Sequence, residues 1–497
     1  MVTVANVENK TGTVLYDRVT VATWKRELGE AYYSRSDYLN AEKYLRESLE
    51  IVYYRFPNSS LKFHLKTNRE LSKRVKYDIL FNRPNKSEVK DGSKFFKDNI
   101  GSLSVLMKKL KLPVMHHVRL ALVTLSQLFQ QQGLLFHWRL ASILGLNISE
   151  QFPKDGLYAT FLSMAASAIY TLDMNNTTTL KYLQIAGQFD RRIDISSGIV
   201  VASCTATTLF LDGQWLKALI EIDSLQQLGA ISGDFGRREE AYRLRSMIYL
   251  YSGQIGQAAT LGKELSVMSA YEEHWLGKFY GALITLQSLL TSTSNADEIS
   301  SSMEALNAII RSSDSKIFSS ATCINLEAVL AQADLHLGGE IDISQVLNKN
   351  IKSLRSIRQH HWISIFGIIQ FTDFIEHANS KGLMEKSTIK RDVKNFCSEA
   401  ELALKRISPN RLSEVSLLLL KGVHDIVASK NYSSAIQKWK KSLALPGTEE
   451  IIYVRGILHA RIAKYGTKIE DKEFHSKQAL NIFKKMGNSW EIEKLTG

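Results

Sequence analysis

The chain has 497 residues, of which 44% are hydrophobic and 23% charged, close to the averages of folded globular proteins. This composition excludes a chain that is disordered throughout. The formal net charge of +13 is unevenly placed, because residues 51–112 carry 15 Lys and Arg against 5 Asp and Glu, and residues 381–497 carry 22 against 13.

The pattern of rare residues excludes several further classes. Only 6 prolines occur and none lies between Pro153 and Pro409, which argues against a turn-rich all-β chain. Three widely separated cysteines make neither a disulfide framework nor a zinc finger. The first residues lack the pattern of a signal peptide, and the longest apolar stretch, residues 198–211, is too short to span a bilayer. We therefore expect a soluble, cytoplasmic, mostly helical protein.

The first clear structural unit lies in residues 24–52. Leu28, Gly29 and Tyr32 share one helical face, and a plausible turn follows at residues 36–37. Ala41 and Leu45 then belong to a second amphipathic helix, in which the small Ala41 allows the two antiparallel helices to approach closely. Such a pair cannot bury both apolar faces alone and must stack on its neighbours.

The same spacing recurs further along the chain. An apolar or aromatic residue is followed nine positions later by a small one, with a short turn between them at residues 212–214, 252–254 and 430–431. Two weaker copies surround residues 128–144 and 170–186. Together these copies predict ten repeat-structural positions: Leu28, Gly29, Tyr32, Ala41, Leu45, Ala218, Tyr249, Ala258, Ala435 and Trp439.

The pattern resembles the tetratricopeptide repeat, and LGEAYYSRSDYLNAEKYLRESL is its most specific copy. The order of segments, including FQQQGLLFHWRLASILGL, GDFGRREEAYRLRSMIYLYSGQIGQA and ALNIFKKMGNSWEIEKL, resembles the helical region that follows the P-loop ATPase in large soluble adenylyl/guanylyl cyclases and related signalling ATPases. This resemblance covers roughly residues 20–495 and implies a regulatory, cyclase-associated or ATPase-associated role in signal transduction.

From these segments we predict an all-α fold, a right-handed α-solenoid of antiparallel tetratricopeptide-like helix pairs. The predicted organisation is an N-terminal extension (1–17), a first repeat (18–54), a basic irregular segment (55–115), repeats (116–290), a Ser-rich linker (291–302) and C-terminal repeats (303–497).

No catalytic constellation stands out in the sequence. The string nearest to a P-loop, residues 382–390, has Glu385 where a glycine is required, and a carboxylate there repels phosphate. Adjacent histidine pairs at 116–117 and 360–361 do not converge on one metal ion. We therefore predict no enzymatic activity, no cofactor and no metal site; the catalytic ATPase and cyclase domains of the resembled family are absent from this sequence.

The basic segment offers the one charged surface with a plausible partner. Aromatic residues are interleaved with its cations, as in proteins that bind nucleic acid or anionic lipid, although the same pattern suits a linker docked on the first repeat. Lys73, Arg74 and Lys76 are the candidate contact residues. The primary hypothesis is a non-catalytic protein-interaction scaffold that binds a protein, a peptide or an upstream ATPase or cyclase domain. The alternative is an adaptor that binds nucleic acid or anionic membrane through residues 55–111.

Overall fold

The computed structural model describes residues 11–35, 37–57, 60–81, 105–132, 134–173, 176–191, 193–272, 274–292, 295–312, 320–356, 363–406 and 411–496. In these ranges all regular secondary structure is helical, with 22 α-helices and no strand. The protein divides into two compact units. Unit 1 comprises the described residues up to Ala168 together with Thr177–Val201, and unit 2 comprises Ile169–Asn176 together with the described residues from Ala202 onward.

The first eight helices supply unit 1 and the beginning of unit 2. They are α1 (Thr11–Ser34), α2 (Tyr38–Ile51), α3 (Ser60–Phe81), α4 (Val105–Gln131), α5 (Leu135–Ser149), α6 (Gly156–Asp173), α7 (Asn176–Gly187) and α8 (Ile195–Leu211). The remaining helices all belong to unit 2. They are α9 (Trp215–Ser232), α10 (Phe235–Tyr251), α11 (Ile255–Tyr271), α12 (Trp275–Ser292), α13 (Ala296–Arg311), α14 (Ser320–His336), α15 (Ile343–Ser356), α16 (Ile363–Ser380), α17 (Ser387–Arg406), α18 (Arg411–Ser429), α19 (Tyr432–Leu443), α20 (Ile452–Tyr465), α21 (Ile469–Met486) and α22 (Ser489–Thr496).

The turns found in the sequence separate consecutive helices. Gly213 and Gly253, between α8 and α9 and between α10 and α11, have φ values of +75° and +86°, a left-handed conformation that glycine adopts without strain. Lys430 takes the same region, with φ of +50°, between α18 and α19. Asp37 begins α2 by accepting a hydrogen bond from the backbone N–H of Asn40 at 3.2 Å. The helices of the predicted pairs therefore begin and end at residues that adopt a left-handed turn conformation or cap a helix.

Close packing within the pairs depends on small residues. Gly29 of α1 lies against Ala41 and Leu45 of α2, and both of those residues are fully buried. Ala218, Ala258 and Ala435 occupy the corresponding buried position in α9, α11 and α19. Neighbouring helices pack on each other along the chain, including α1 on α2, α4 on α5, α11 on α12 and α20 on α21. An all-helical protein of sequential pairs is thus confirmed.

Unit 2 also contains packing that a strictly nearest-neighbour array would lack. Helices α10 and α20 are in contact, as are α12 and α22. The Tyr251 ring meets the Tyr453 ring edge-on, with centroids 5.7 Å apart, and lies 4.5 Å from that of Phe366. The Tyr251 hydroxyl accepts hydrogen bonds from Gln287 and Gln370, at 3.4 and 3.3 Å. Helices distant in sequence therefore share one buried, partly polar core, in which polar side chains on their inner faces form hydrogen bonds with one another.

Two of the segments predicted to be irregular contain helices in the residues that the structure describes. Helix α3 runs from within the basic segment, and α4 contains Pro113. Proline is tolerated here only at the cost of one backbone hydrogen bond. Residues 296–302 of the Ser-rich segment are the start of α13, which Asn295 caps by accepting from the N–H of Asp297 at 3.1 Å. Asparagine thus begins this helix at the N-cap, a position that it favours.

Candidate functional site

A cavity in unit 2 has a volume of about 820 Å³ and lies among α16, α20, α21 and α22. Helical spacing explains why each helix lines it with a row of side chains. Ile457, Ala460, Arg461 and Lys464 of α20 recur every three or four residues, so they occupy one face of that helix. This volume of about 820 Å³ lies within the range of about 300–1,000 Å³ that is typical of ligand sites.

Two ion pairs link α16 to α20 at the wall of the cavity. Asp373 and Glu376, three residues apart on α16, face Arg461 and Lys464, three residues apart on α20. A guanidinium nitrogen of Arg461 contacts Oδ1 of Asp373, and Tyr453 donates to Oδ2 at 3.2 Å. Lys464 Nζ lies 2.7 Å from Glu376 Oε1, which also accepts from the Tyr465 hydroxyl at 3.0 Å. The two helices are therefore held in one register by paired charges.

The two carboxyl groups respond differently to the same surroundings. Burial raises the pKa of Asp373 to about 6, because desolvation of its charge exceeds the attraction of Arg461. Burial also acts to raise the pKa of Glu376, but the charges of Arg461 and Lys464 outweigh it and lower that pKa to about 2. Both groups are mainly ionised at neutral pH, and Asp373 is the one whose charge changes in mildly acidic solution.

The short helix α22 forms the fourth wall. The Ser489 hydroxyl donates to the backbone carbonyl of Ser292 at 2.8 Å, which ties the start of α22 to α12. The Trp490 ring packs at centroid distances of 4.0 Å from His336 and 5.3 Å from His377. Burial, with the nearby charges of Lys494 and Lys381, lowers the pKa of His377 to about 3. This imidazole is therefore neutral and packs as an aromatic surface.

The cavity lining has more cationic than anionic side chains. Six Lys and Arg residues line it, against four Asp and Glu. Three of the cations are paired with carboxylates in the wall, since Lys494 lies 2.7 Å from Glu491 in addition to the two pairs above. The other three are Lys381, Lys472 and Lys477, and the other carboxylate is Glu473. The lining therefore carries a surplus of about two positive charges at neutral pH.

Apolar side chains complete the lining. Ile457 and Ala460 of α20, Leu480 of α21, and Trp490 and Leu495 of α22 all border the cavity. A surface with both apolar and cationic parts can bind a ligand that has both an apolar side chain and negative charge. Within the described ranges, no group of three or more His, Cys, Asp or Glu is placed to hold a metal ion.

Two of the candidate contact residues of the basic segment, Arg74 and Lys73, form ion pairs within unit 1. Arg74 is buried, and its guanidinium lies 2.6 Å from Glu150 Oε1 and donates to the Tyr182 hydroxyl at 2.6 Å. Lys73 is half-exposed and pairs with Glu70 at 2.8 Å. The backbone of Lys76 lies in α3, but its side chain is outside the described residues. Arg74 is thus a packing residue within unit 1, and the structure does not bring the three cations together on one free surface.

The repeat-structural residues occupy two kinds of environment. Most of them are buried, among them Trp439, whose ring is fully enclosed. Tyr32 and Tyr249 are partly buried, and the Leu28 side chain is 41% exposed because the adjacent Gly29, rather than Leu28, faces α2. Cys204 and Cys397 are buried in helices and Cys323 is half-buried. The histidine pair at 360–361 lies outside the described residues.

The cavity residues escaped the sequence analysis, although a signal was present. The α16 segment ISIFGIIQFTDFIEHANS is mostly buried and contains no Lys or Arg, and Asp373 and Glu376 are its only carboxylates. Charged residues are rarely buried unless they are paired. Two carboxylates three residues apart in such a helix therefore predict cationic partners, which Arg461 and Lys464 of α20 provide. Sequence spacing could not have identified that helix, since the two pairs are 88 residues apart in the chain.

Comparison with known proteins identifies no family for this chain. No protein-family model matches it, and a search of the curated proteins gives no significant match. Among the residues that the structure describes, no helix combines the length and apolar character needed to cross a membrane. The class of protein that the fold defines is therefore an all-helical protein of sequentially packed helix pairs.

Proposed function

We propose that this protein is a non-catalytic interaction or regulatory module, a right-handed solenoid of tetratricopeptide-like repeats that receives a segment of a partner protein in the cavity of unit 2. The observation that supports the proposal is the cavity itself. Its lining combines apolar side chains with cations that make no ion pair within the described residues, which suits recognition of a polypeptide segment. The sequence resemblance to the helical region of cyclases and signalling ATPases supports a regulatory role beside such a catalytic domain in the cytoplasm.

The proposed mechanism is binding that changes the state of a partner. A segment seated between α16 and α21 contacts helices that both line the cavity but are separated in the chain by four other helices. It therefore stabilises one arrangement of these helices by its differential affinity for that arrangement. The alternative, an adaptor for nucleic acid or anionic membrane, depends on the basic segment, and the engagement of Arg74 within unit 1 makes that segment the less favoured site.

A peptide-display selection against the full-length chain tests the proposed site. Selected peptides should lose binding to the variant Ala460→Trp, because a large ring placed on α20 fills part of the cavity that Ala460 borders. The control is Ala270→Trp, which makes the same change at an exposed position of α11 outside the cavity lining. Failure to select any peptide, or peptides that bind both variants equally, would refute the site.

The absence of catalysis is tested separately. We expect the purified chain to show no hydrolysis or cyclisation of ATP or GTP above a buffer blank. Turnover that co-purifies with the chain and is abolished by a point substitution within it would contradict a non-catalytic function.

A further inference from the structure

We infer that the cavity of unit 2 selects an acidic protein segment. Lys472 and Lys477 of α21 bind the carboxylates of this segment, and one of its apolar side chains enters beside Trp490. This inference rests on the proposed function, and it names the chemistry of the partner. It also distinguishes the residues that hold the cavity together from those that are free to contact a partner.

The wall charges are already used by the fold. Arg461 and Lys464 neutralise Asp373 and Glu376, and Lys494 neutralises Glu491. A partner carboxylate that approached these cations would compete with buried or half-buried carboxylates at short distances. Replacing a partner within an existing pair brings little net gain, because the displaced carboxylate then loses its own compensation.

The lysines of α21 differ in this respect. Lys472 and Lys477 are exposed, both line the cavity, and neither makes an ion pair or a side-chain hydrogen bond within the described ranges. Lys381, on the α16 side, donates to the backbone carbonyl of Leu335 at 2.7 Å, which leaves its positive charge uncompensated by a carboxylate. Glu473 is the one carboxylate of the lining outside the three wall pairs. The uncompensated charge therefore lies at the side of the cavity formed by α21 and α16.

The apolar side chains of the cavity lining determine which groups a bound segment should contain besides its acidic residues. Leu480, Ile457 and the partly buried Trp490 border the same space. A free inorganic anion would leave this apolar surface in contact with water, whereas a segment with an apolar side chain next to its acidic residues covers it. Burial of such a side chain removes apolar surface from water, which adds affinity that an inorganic anion cannot gain. The combination of charge and apolar surface thus favours a polypeptide over a small anion.

Nucleic acid fits the same lining less well. Every nucleotide brings a phosphate, so a bound strand would place its charges along the whole lining, including Glu473 and the wall carboxylates. A protein segment can instead place acidic residues only where the free lysines lie. Charge complementarity therefore commits the site to an acidic segment with at least one apolar residue.

The display selection described above provides the test, with its read-out being the composition of the selected peptides. Peptides selected on the wild-type chain should be enriched in Asp and Glu together with an apolar residue. The variant Lys472→Gln/Lys477→Gln should weaken their binding about two- to thirtyfold at low salt, since each exposed charge pair contributes about 0.2–1 kcal/mol. Raising the salt concentration should weaken binding to the wild type more than binding to this variant.

A matched control lies on the same helix. Lys484→Gln/Lys485→Gln removes the same charge from exposed positions of α21 that do not line the cavity. It should leave binding within about twofold of the wild type. Circular dichroism and thermal unfolding of both variants establish that the fold is retained.

The possible outcomes separate the inference from the proposed function. Neutral or basic peptides that are blocked by Ala460→Trp but unaffected by Lys472→Gln/Lys477→Gln would overturn the inference and retain the site. Equal weakening by the two lysine pairs would also overturn it, because it would indicate a general effect of net charge. Failure to select any peptide would overturn both.

Discussion

The substitution Gly422→Ala tests whether the close contact between α18 and α19 requires a residue without a side chain at position 422. Gly422 lies in α18 opposite the Trp439 ring of α19. A Cβ atom built on Gly422 would lie 2.0 Å from Trp439 Nε1 and 2.4 Å from Cε2. The indole is rigid and fully buried, so neither the ring nor its surroundings can yield easily.

The expected loss of stability follows from two opposed effects. Overpacking of a filled core costs about 1–3 kcal/mol, and displacement of the ring also weakens the 3.3 Å hydrogen bond that Trp439 Nε1 donates to the Leu419 carbonyl. Alanine returns about 1 kcal/mol through its higher helix propensity. The net change is a loss of about 1–3 kcal/mol, which lowers the melting temperature of a unit of this size by about 2–5 °C.

The control is Gly256→Ala in α11, where an added Cβ meets no heavy atom within 4 Å. This substitution should raise stability by about 0.5–1 kcal/mol, because it removes the entropic cost of a helical glycine without a clash. Differential scanning calorimetry measures both variants, and hydrogen exchange in α18 and α19 locates the effect. A Gly422→Ala variant as stable as Gly256→Ala would refute the packing argument.

Three further outcomes are expected. Glu376→Gln should destabilise unit 2 at pH 7 by up to about 3 kcal/mol, because its lowered pKa of about 2 adds stability above the unfolded value of 4.5. That difference from the wild type should shrink as the pH falls from 4.5 towards 2 in acid-unfolding experiments. Arg74→Met should destabilise unit 1 by about 3–5 kcal/mol, measured by urea unfolding, since it removes the cation that compensates the largely buried Glu150 carboxylate. Trp490→Ala should increase hydrogen exchange throughout α22, because an eight-residue helix is unstable without tertiary contacts. Unchanged exchange in α22, pH-independent effects at Glu376 or a neutral Arg74 variant would each contradict the corresponding argument.

Local features made the helix pairs predictable from sequence. The pairs depend on turn residues and on small residues nine positions from an aromatic or apolar one, and both features lie within one stretch of chain. Gly213 and Gly253 take the left-handed conformation that ends one helix and begins the next, and Asp37 caps α2. Ala218 and Ala258 are buried where a small residue was predicted. These positions are fixed by nearest neighbours in sequence, which is the information that a single sequence contains.

The cavity was not predictable in the same way, because its parts come from helices that are distant in the chain. The Asp373–Arg461 pair joins residues 88 positions apart, and the hydrogen bond from the Ser489 hydroxyl to the Ser292 carbonyl joins residues 197 positions apart. Hydrophobic periodicity predicts which face of a helix is buried but not which helix covers it. Within the basic segment, the sequence LKTNRELSKRVKYDILF (residues 65–81) is compatible with one helix, because lysine and arginine favour helices as readily as the leucines between them, and α3 extends that helix back to Ser60.

The contacts between distant helices give the cavity a route to influence the rest of unit 2. Asp373 is bonded to Tyr453, and the Tyr453 ring packs against Tyr251 of α10. Tyr251 in turn accepts hydrogen bonds from Gln287 of α12 and Gln370 of α16. A ligand that stabilises the pairing of α16 with α20 therefore also stabilises the core to which α10 and α12 contribute, by an amount set by its concentration relative to its dissociation constant. Binding at the cavity should accordingly slow hydrogen exchange in α10, which does not line it. Protection confined to the four lining helices would show that the cavity acts alone, and a regulatory role would then require a different connection.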